Sequence, residues 1–203
     1  MVFVSGRSVA SLLGESSLRA VVLDDGTELP AEILIEAIGA ACNTEWLAAS
    51  GLDLVDGVLA DSAMRAIGSD GRVHDEVYVV GDVARFPNTM FDAVPRRVEH
   101  WNIPTDTGRR AGAVLGSWLA DDGSYADVAA APFTPMPSFW SNQFDLSIQA
   151  YGLPGIADSS RLEAGDISGD SITGYYRGDR LVGVVGFGMK AALLPYRAQI
   201  AAG

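Results

Sequence analysis

The sequence predicts an α/β fold followed by a small α+β domain at the carboxyl end, and three patterns carry this prediction. The short apolar run at residues 77–80 is typical of a buried strand, and it ends on Gly81 and Asp82. Apolar residues then recur at helical spacing between Ala111 and Leu119. The last third alternates apolar with polar residues, which indicates an antiparallel sheet.

Residues 2–38 are predicted to form β-structure. An apolar segment at residues 19–23 leads into Asp25-Gly26, a turn signal that favours a hairpin. A second apolar run covers residues 33–38. Its composition predicts a further strand.

Residues 43–76 combine a helix signal with a polar stretch. Asn43 or Thr44 can cap a short helix through Ala49, and Gly51 stops it. Residues 65–76 are mostly polar and are predicted to form a loop leading to the strand at residue 77.

A long helix is predicted from Pro104, which is tolerated in a first helical turn because its missing N–H has no partner there. Gly108 and Gly112 share a second face that permits close packing. Asp121 to Gly123 end the helix. The predicted core face consists of Ala111, Val114, Leu115, Trp118 and Leu119.

The C-terminal part begins with an Ala- and Pro-rich linker at residues 124–137. A half-buried strand is predicted from Phe144 to Ala150, because apolar and polar residues alternate there. A hairpin is predicted from residues 171–177 and 180–188 around a Gly-Asp turn. A last helical segment carries Pro195, which is expected to disturb it.

Composition limits the function. The formal net charge of −12 argues against nucleic-acid binding, which needs clustered Lys and Arg. No apolar run reaches the about 18 residues of a membrane span. The N-terminus has no basic region ahead of its apolar residues, so a signal peptide is not expected and the predicted location is cytoplasmic. The single cysteine, Cys42, excludes a redox disulfide within the chain and is interpreted as a packing residue.

Five arginines fall within one short region. They form either a local basic patch or a scatter of solvated side chains, and the sequence leaves both interpretations open. These residues are Arg85, Arg96, Arg97, Arg109 and Arg110.

Three blocks in this order resemble the C-terminal half of FAD-dependent ferredoxin reductases. The blocks are Gly81-Asp82, the Arg-Arg-Val-Glu-His-Trp-Asn segment at residues 96–102, and Phe-Trp-Ser-Asn-Gln at residues 139–143. These enzymes are the reductase components of aromatic-ring dioxygenases and bacterial cytochrome P450 systems, within the pyridine nucleotide-disulfide oxidoreductase superfamily. The resemblance runs from about Val4 to the C-terminus.

The resemblance implies a partial FAD/NAD-binding flavoprotein fold in three parts. Residues 1–38 would be the tail of the NAD-binding domain, residues 39–122 the C-terminal segment of the FAD-binding domain, and residues 123–203 the reductase interface domain. It also implies FAD and NAD(P)H as cofactors and a [2Fe-2S] ferredoxin as partner, with electrons passing from NAD(P)H through flavin to ferredoxin.

Site residues follow from the same resemblance. Asp82, after Gly81, matches the carboxylate that holds the ribityl hydroxyls of FAD; the alternative is a solvated Asp after a tight turn. Glu99, His100 and Trp101 match the loop that passes beside the isoalloxazine ring. Trp101 could instead be an ordinary core residue, and His100 is better interpreted as structural.

Trp140 and Gln143 match the block that meets the docking ferredoxin in relatives. Asn142 stands where relatives usually carry Asp, which weakens the match at that position. No metal site is predicted. The glycines at residues 183–188 have the wrong order for a dinucleotide loop and are interpreted as part of a strand.

The sequence contains no Gly-x-Gly-x-x-Gly motif, whereas the family uses one for FAD and one for NAD. Three hypotheses follow. The chain is a reductase fragment that is inactive alone; or it is a ferredoxin-docking or dimerisation module without flavin; or it pairs with a separate N-terminal half. Exposed edges also favour self-association.

Overall fold

The computed structural model describes residues 2–203, and these divide into two compact units. The first unit ends at Ala41, and the second runs from Cys42 to Gly203. The predicted fold class, α/β elements followed by a small C-terminal sheet domain, is confirmed. Among the described residues, no helix combines the length and apolar character needed to cross a membrane.

The first unit is a three-stranded antiparallel meander. Strands β1 (Val9–Leu13), β2 (Ala20–Leu23) and β3 (Glu28–Pro30) pair in this order. The predicted Asp-Gly turn joins β2 to β3, and Gly26 supplies the left-handed φ of +83° that the turn needs. The hairpin prediction is therefore confirmed.

The prediction of a strand at residues 33–38 is wrong. This segment belongs to no sheet, and the side chains of Ile33, Ile35 and Ile38 are each more than 80% exposed. A buried strand needs neighbours on both edges and cover on its faces. No described strand of this unit pairs with the segment, so its apolar composition alone does not make it a strand.

The second unit begins with short elements. The helix predicted through Ala49 is a single 3₁₀ turn, Glu45–Leu47, without a side-chain cap. The residues 65–76 predicted as a loop instead form most of a hairpin, in which β5 (Arg65–Ile67) pairs antiparallel with β6 (Val73–Tyr78). Turn residues between two strand-compatible ends explain why a polar stretch folds this way.

The buried strand predicted at residues 77–80 is also corrected. Strand β6 starts at Val73 and ends at Tyr78, and of the four predicted residues only Val79 is buried, while Val77 and Val80 are exposed. Because β6 pairs only with β5 among the described strands, its other edge and outer face stay open to solvent.

A second small sheet lies beside the hairpin. Strand β4 (Val58–Leu59) pairs parallel with β7 (Ala84–Pro87), which pairs antiparallel with β8 (Pro95–Arg97). The core of this region packs around Met64, Ala66 and Phe86, which are 0–2% exposed.

Helix α1 (Asn102–Ala120) lies on this core. Pro104 falls in its first turn and Asp121 ends it in a left-handed conformation, as predicted. The predicted core face is only half right, because Leu115, Trp118 and Leu119 are exposed. The buried stripe is Ile103, Thr107, Ala111 and Val114, which has the same period on a rotated face.

Gly108 and Gly112 were predicted to permit close packing, but a Cβ at either position would meet no atom within 4 Å. The predicted linker after Gly123 is not structureless either. It contains the short helix α2 (Tyr125–Ala130), whose carboxyl end is tied to α1 by Arg110, which donates to the carbonyls of Ala129 and Ala131.

The C-terminal part is a five-stranded antiparallel sheet in the order β11-β12-β13-β10-β9. The strands are β9 (Ser138–Gln143), β10 (Leu146–Gly152), β11 (Ser159–Gly165), β12 (Ser171–Arg177) and β13 (Arg180–Phe187). The predicted β12–β13 hairpin is confirmed. Two positions of β13 have no room for a side chain and are occupied by glycine. A Cβ on Gly183 would lie 2.6 Å from the Pro154 nitrogen, and a Cβ on Gly186 would lie 2.9 Å from the Leu193 side chain.

Two details differ from the prediction in this sheet. Phe144 is not a strand residue but lies in the β9–β10 turn with φ +57° and is exposed. Pro195 does not disturb the last helix but sits in its first turn, in α3 (Leu194–Ala202), where its fixed φ is compatible with a helix.

Residues 88–94, here called the clasp loop, join β7 to β8 and anchor this region to the C-terminal sheet. Phe91 is buried in the same cluster as Ile172 and Val184 of the sheet. Asn88, itself buried, donates to the Pro135 carbonyl at 2.7 Å. Apolar burial and backbone hydrogen bonding thus both fix the loop.

Asp92 completes the clasp loop as an acceptor for two arginines. Arg96 donates to both carboxylate oxygens, at 2.6 and 2.8 Å, and Arg177 of β12 donates at 2.7 Å. The hydrogen bonds from Arg96, followed by those from the Val94 backbone and Arg177, hold the pKa of Asp92 well below its usual range.

We expect Asp92→Asn to lower the free energy of unfolding at neutral pH by about 1–3 kcal/mol, since charged hydrogen bonds contribute in this range and partial exposure limits the gain. A carboxyl with a depressed folded-state pKa stabilises fully above its unfolded pKa of about 3.9, and this stabilisation is lost as pH falls through the folded pKa. Urea unfolding of both proteins should therefore show a difference that shrinks below about pH 4.

Asp179→Asn, at the exposed tip of the β12–β13 hairpin, is the matched control and should change stability little. A difference between wild type and Asp92→Asn that stays constant down to about pH 3 would contradict the assignment of the stabilisation to the Asp92 charge.

Candidate functional site

The Gly81-Asp82 turn follows β6 and opens to solvent. Gly81 has φ +77°, a left-handed conformation that favours glycine, and a Cβ there would meet nothing within 4 Å. Asp82 is exposed, and among residues 2–203 its carboxylate has no hydrogen-bond or ion-pair partner. An unpaired carboxylate at an open glycine turn can accept hydrogen bonds from ligand hydroxyls.

Thr107 fixes this turn from helix α1. Its hydroxyl accepts the Gly81 N–H at 3.0 Å and donates to the Ile103 carbonyl at 2.7 Å. The side chain is fully buried, so both hydrogen bonds are protected from water. The turn is therefore fixed to the first part of α1. The sequence did not reveal this contact, because a Thr inside a helix gives no specific signal.

The segment between β8 and α1 carries the predicted flavin-edge residues. Glu99 is exposed and forms an ion pair with Arg97, which also donates to Asp56 at 2.9 Å. The hydrogen bond to Asp56, reinforced by the one to Glu99, raises the pKa of Arg97. Arg97 therefore holds this segment in place, and its charge is already paired with two carboxylates instead of being available to a ligand.

His100 lies partly buried against Phe139, with ring centroids 5.7 Å apart. Its Nδ1 atom is buried and has no hydrogen-bond partner among the described residues. Burial lowers the pKa of His100, because the charged imidazolium would lose its hydration. The lowered pKa favours the neutral imidazole, which is compatible with the interpretation of His100 as a structural residue.

Trp101 is 80% exposed, so the alternative that it is an ordinary core residue is excluded. Its indole lies beside that of Trp140 on β9, with centroids 6.4 Å apart and ring planes inclined by 40°. Trp140 is 53% exposed. The structure thus brings two residues from separate sequence blocks into one exposed aromatic pair.

Gln143 stands at the end of β9, exposed, and donates to the Ser141 hydroxyl at 3.1 Å. Asn142 is exposed beside it. Among the described strands, β9 pairs only with β10 and is an edge of the C-terminal sheet; Trp140, Asn142 and Gln143 are its exposed residues.

The arginine cluster is neither a basic patch nor a solvated scatter. Four of its members pair with carboxylates, and Arg110 donates to backbone carbonyls, including that of Ser62 at 2.7 Å. The pairs are Arg85–Asp53, Arg96–Asp92, Arg97–Asp56 and Arg109–Asp106. The spacing of the arginines alone could not show the pairs of Arg85 and Arg97, whose partners lie 32 and 41 residues away in sequence, whereas Asp92–Arg96 and Asp106–Arg109 are close in sequence.

Cys42 is half-buried, and its thiol lies 3.9 Å from the Asp82 carbonyl oxygen. This places it under the turn, in agreement with a packing role. Within residues 2–203, no three His, Cys, Asp or Glu side chains are arranged to hold a metal ion.

Comparison with known proteins adds the family. Residues 2–108 match the sequence model of the pyridine nucleotide-disulphide oxidoreductases, and residues 138–203 match that of the reductase C-terminal domain. The chain belongs to the pyridine nucleotide-disulphide oxidoreductase family. Within it, the chain is of the ferredoxin-reductase type, as the sequence blocks predicted, and members of the family use FAD and NAD(P)H.

Two curated relatives illustrate the likeness. The chain is 34% identical over 152 residues to peroxisomal monodehydroascorbate reductase 2 of Oryza sativa subsp. japonica, covering 74% of this chain and 29% of that protein. It is 29% identical over 172 residues to putidaredoxin reductase CamA of Pseudomonas putida, covering 84% of this chain and 36% of that protein.

Solved structures agree on the fold. The ferredoxin reductase for the CYP199A2 system from Rhodopseudomonas palustris matches with a TM-score of 0.73 at 25% identity, over 92% of this chain and 42% of that one. The covalent putidaredoxin reductase–putidaredoxin complex matches with a TM-score of 0.79 at 23% identity, over 97% and 44%. The chain spans less than half the length of each of these relatives.

We expect Thr107→Val to lower the free energy of unfolding by about 1–3 kcal/mol, because valine keeps the volume but leaves the Gly81 N–H without an acceptor. Urea denaturation followed by circular dichroism measures this difference. Thr105→Val, on the exposed side of the same helix, is the control and should change stability by less than about 0.5 kcal/mol. Equal effects of the two substitutions would show that the hydroxyl of Thr107 does not support the turn.

Proposed function

We propose that this chain supplies the ribityl-binding turn and the ferredoxin-docking face of an FAD-dependent NAD(P)H:ferredoxin reductase. One observation carries the proposal. Helix α1 holds the Gly81-Asp82 turn through Thr107, and its first residue follows Trp101, which pairs with Trp140 of the C-terminal sheet. A cofactor-binding turn and an exposed aromatic surface are thereby connected through one rigid element.

The residues present fit FAD at the ribityl position. Asp82 offers an unpaired acceptor at an open glycine turn, and Gly81 leaves room for the chain of hydroxyls. The positive end of the α1 helix dipole can stabilise negative charge on the pyrimidine edge of the ring. FAD, when bound, would take hydride from NAD(P)H and release single electrons to a [2Fe-2S] ferredoxin.

The same proposal holds that the chain alone does not retain FAD. The sequence offers no glycine loop for the pyrophosphate, and such loops place phosphates against a helix N-terminus. A second polypeptide that carries these loops would complete the site. The segment at residues 33–38, with three isoleucines exposed, is a surface that such a partner or a second copy would cover.

One observation favours a different function, a docking module without flavin. The C-terminal sheet has its own core, which includes Ile172, Val184 and Leu193, and its edge strand exposes Trp140. Such a unit could bind a partner whether or not the Gly81-Asp82 turn is used.

The absorbance spectrum after incubation with FAD and removal of free flavin tests the proposal. We expect no flavin band with the chain alone. We expect a band when the chain is mixed with a polypeptide that contains the glycine-loop half of a ferredoxin reductase. In that mixture, Asp82→Ala should weaken FAD binding by about 10- to 100-fold, because a charge-assisted hydrogen bond contributes about 1.5–3 kcal/mol.

Asp122→Ala, in the turn after α1, is the matched control and should leave FAD binding unchanged. A flavin band with the chain alone would overturn the requirement for a second half. If the mixture binds no FAD, or binds it equally with Asp82→Ala, the assignment of Asp82 is wrong and the docking module becomes the better account.

The aromatic pair generates a prediction about the partner. Trp140→Ala should weaken binding of a [2Fe-2S] ferredoxin by about 30-fold or more, as truncation of a central interface tryptophan costs about 2 kcal/mol or more. Since Arg85, Arg96 and Arg97 are already paired with carboxylates, we expect affinity to change little between low and physiological salt. Isothermal titration calorimetry at two salt concentrations measures both effects.

Trp118→Ala removes an exposed indole from the far part of α1 and serves as the control. Equal losses from Trp118→Ala and Trp140→Ala would argue against docking at β9. A steep fall of affinity with salt would mean that charged groups elsewhere dominate the encounter.

A further inference from the structure

Residues 100–102, which lead into α1, each contact one residue of the segment 138–140 at the start of β9. His100 lies against Phe139, Trp101 against Trp140, and Asn102 against Ser138. The first two contacts are between rings, which can slide and tilt at small energetic cost. The third is directional and involves hydrogen bonds.

Asn102 uses both ends of its amide at this junction. Its Oδ1 accepts the backbone N–H of Ser138 at 3.1 Å and the Ser138 hydroxyl at 3.2 Å. Its Nδ2 donates to the Met136 carbonyl at 3.0 Å and to Asp106 at 2.9 Å. One side chain therefore links α1 to the end of the preceding loop and to the first residue of β9.

These hydrogen bonds are not needed to start the helix. Residue Trp101 occupies the N-cap position without a side-chain cap, and Asn102 is the first helical residue. Asparagine is favoured at the N-cap and has a low propensity inside a helix. Its use one position later, with its amide directed across the junction, indicates a role in joining two elements rather than in capping one.

We propose that Asn102 is a positioning residue that holds Trp101 and Trp140 together as one aromatic surface. The inference rests on the proposed function, in which this surface receives the ferredoxin. Strand β9 pairs with β10 from Ser138 onward, and the Pro137 carbonyl accepts the Gly152 N–H at 2.9 Å, so the strand is held in its own sheet. The hydrogen bonds of Asn102 to Met136 and Ser138 join the start of α1 to that strand.

Removal of the amide should separate the two indoles without unfolding the protein. Phe91 and Asp92 still anchor the C-terminal sheet through the clasp loop. The start of α1 would then lose its hydrogen bonds to Met136 and Ser138 while β9 stays paired with β10, and only the ring contacts would join Trp101 to Trp140.

Indole N–H resonances in a nitrogen-15 NMR spectrum test this in the chain itself. The chain has four tryptophans, assigned by single Trp→Phe substitutions. In Asn102→Ala, we expect the resonances of Trp101 and Trp140 to shift toward those of isolated exposed indoles. The resonances of Trp46 and Trp118 should stay in place and report that the fold is intact.

Asn142→Ala, which removes an exposed amide from the same strand, is the matched control and should shift neither resonance of the pair. If Asn102→Ala does not fold, Asn102→Leu keeps the approximate size while losing all four hydrogen bonds of the amide, and it should give the same selective shift. Unchanged Trp101 and Trp140 resonances in a folded Asn102 variant would overturn the proposal.

A second arm separates this inference from the proposed function. Calorimetric titration with a [2Fe-2S] ferredoxin should show weaker binding to Asn102→Ala than to wild type, by about tenfold, which corresponds to about 1.4 kcal/mol. Failure of the wild type to bind the ferredoxin would remove the proposed function, whatever the NMR result. Selective NMR shifts together with equal ferredoxin affinity would overturn the positioning role in docking.

Discussion

The burial of the clasp loop in the C-terminal sheet is the constraint on which the rest of the second unit depends. Phe91 contributes apolar area to the core of the sheet, and Asp92 joins Arg96 of its own segment to Arg177 of β12. Because β8 follows the loop directly, this anchor determines where the segment of Glu99, His100 and Trp101 meets β9. This anchor and the hydrogen bonds of Asn102 together hold the two halves of the aromatic surface.

The candidate site is assembled from weak local elements held by a few protected polar contacts. Strands β4, β5 and β8 have two or three residues each, which is below the length at which pairing alone is stable. Their order comes from the core around Met64 and Phe86 and from side chains such as Thr107, whose hydrogen bonds are shielded from water. Exposed groups, namely the Asp82 carboxylate and the two indoles, are thereby presented on a fixed framework.

Sequence patterns predicted local structure correctly where the residues that carry the pattern also form the element. The β12–β13 hairpin, the turn at Gly26 and the ends of α1 all follow from turn and capping residues. Predictions failed where the outcome depends on a partner element. Residues 33–38 have strand composition but pair with no described strand, and residues 77–80 lie at and beyond the end of β6, which pairs only with β5 among the described strands. The exposed face of α1 has helical period but is not buried.

The same distinction applies to the site. Resemblance proposed Asp82, Trp101 and Trp140 as site residues, because these lie within recognisable blocks, but it carried no information on which of them touch. The pairing of Arg85 and Arg97 with distant carboxylates, and the contacts of Asn102 and Thr107, depend on tertiary structure. Single polar residues inside a helix look alike in sequence whether they face solvent or cross-link two elements.

The arrangement has the properties of a preorganised half-site. The Gly81 N–H is already satisfied by Thr107, so the turn keeps its left-handed conformation without any ligand, and the adjacent carboxylate stays free. Binding energy is lost when a site must first be ordered, and groups held in place beforehand avoid that cost. The indole pair of Trp101 and Trp140 is preorganised in the same way, because in the proposed role of Asn102 its amide fixes the relative position of these two exposed rings. A surface prepared in this way, with its neighbouring arginines already neutralised, is suited to contact by shape and apolar area more than by charge.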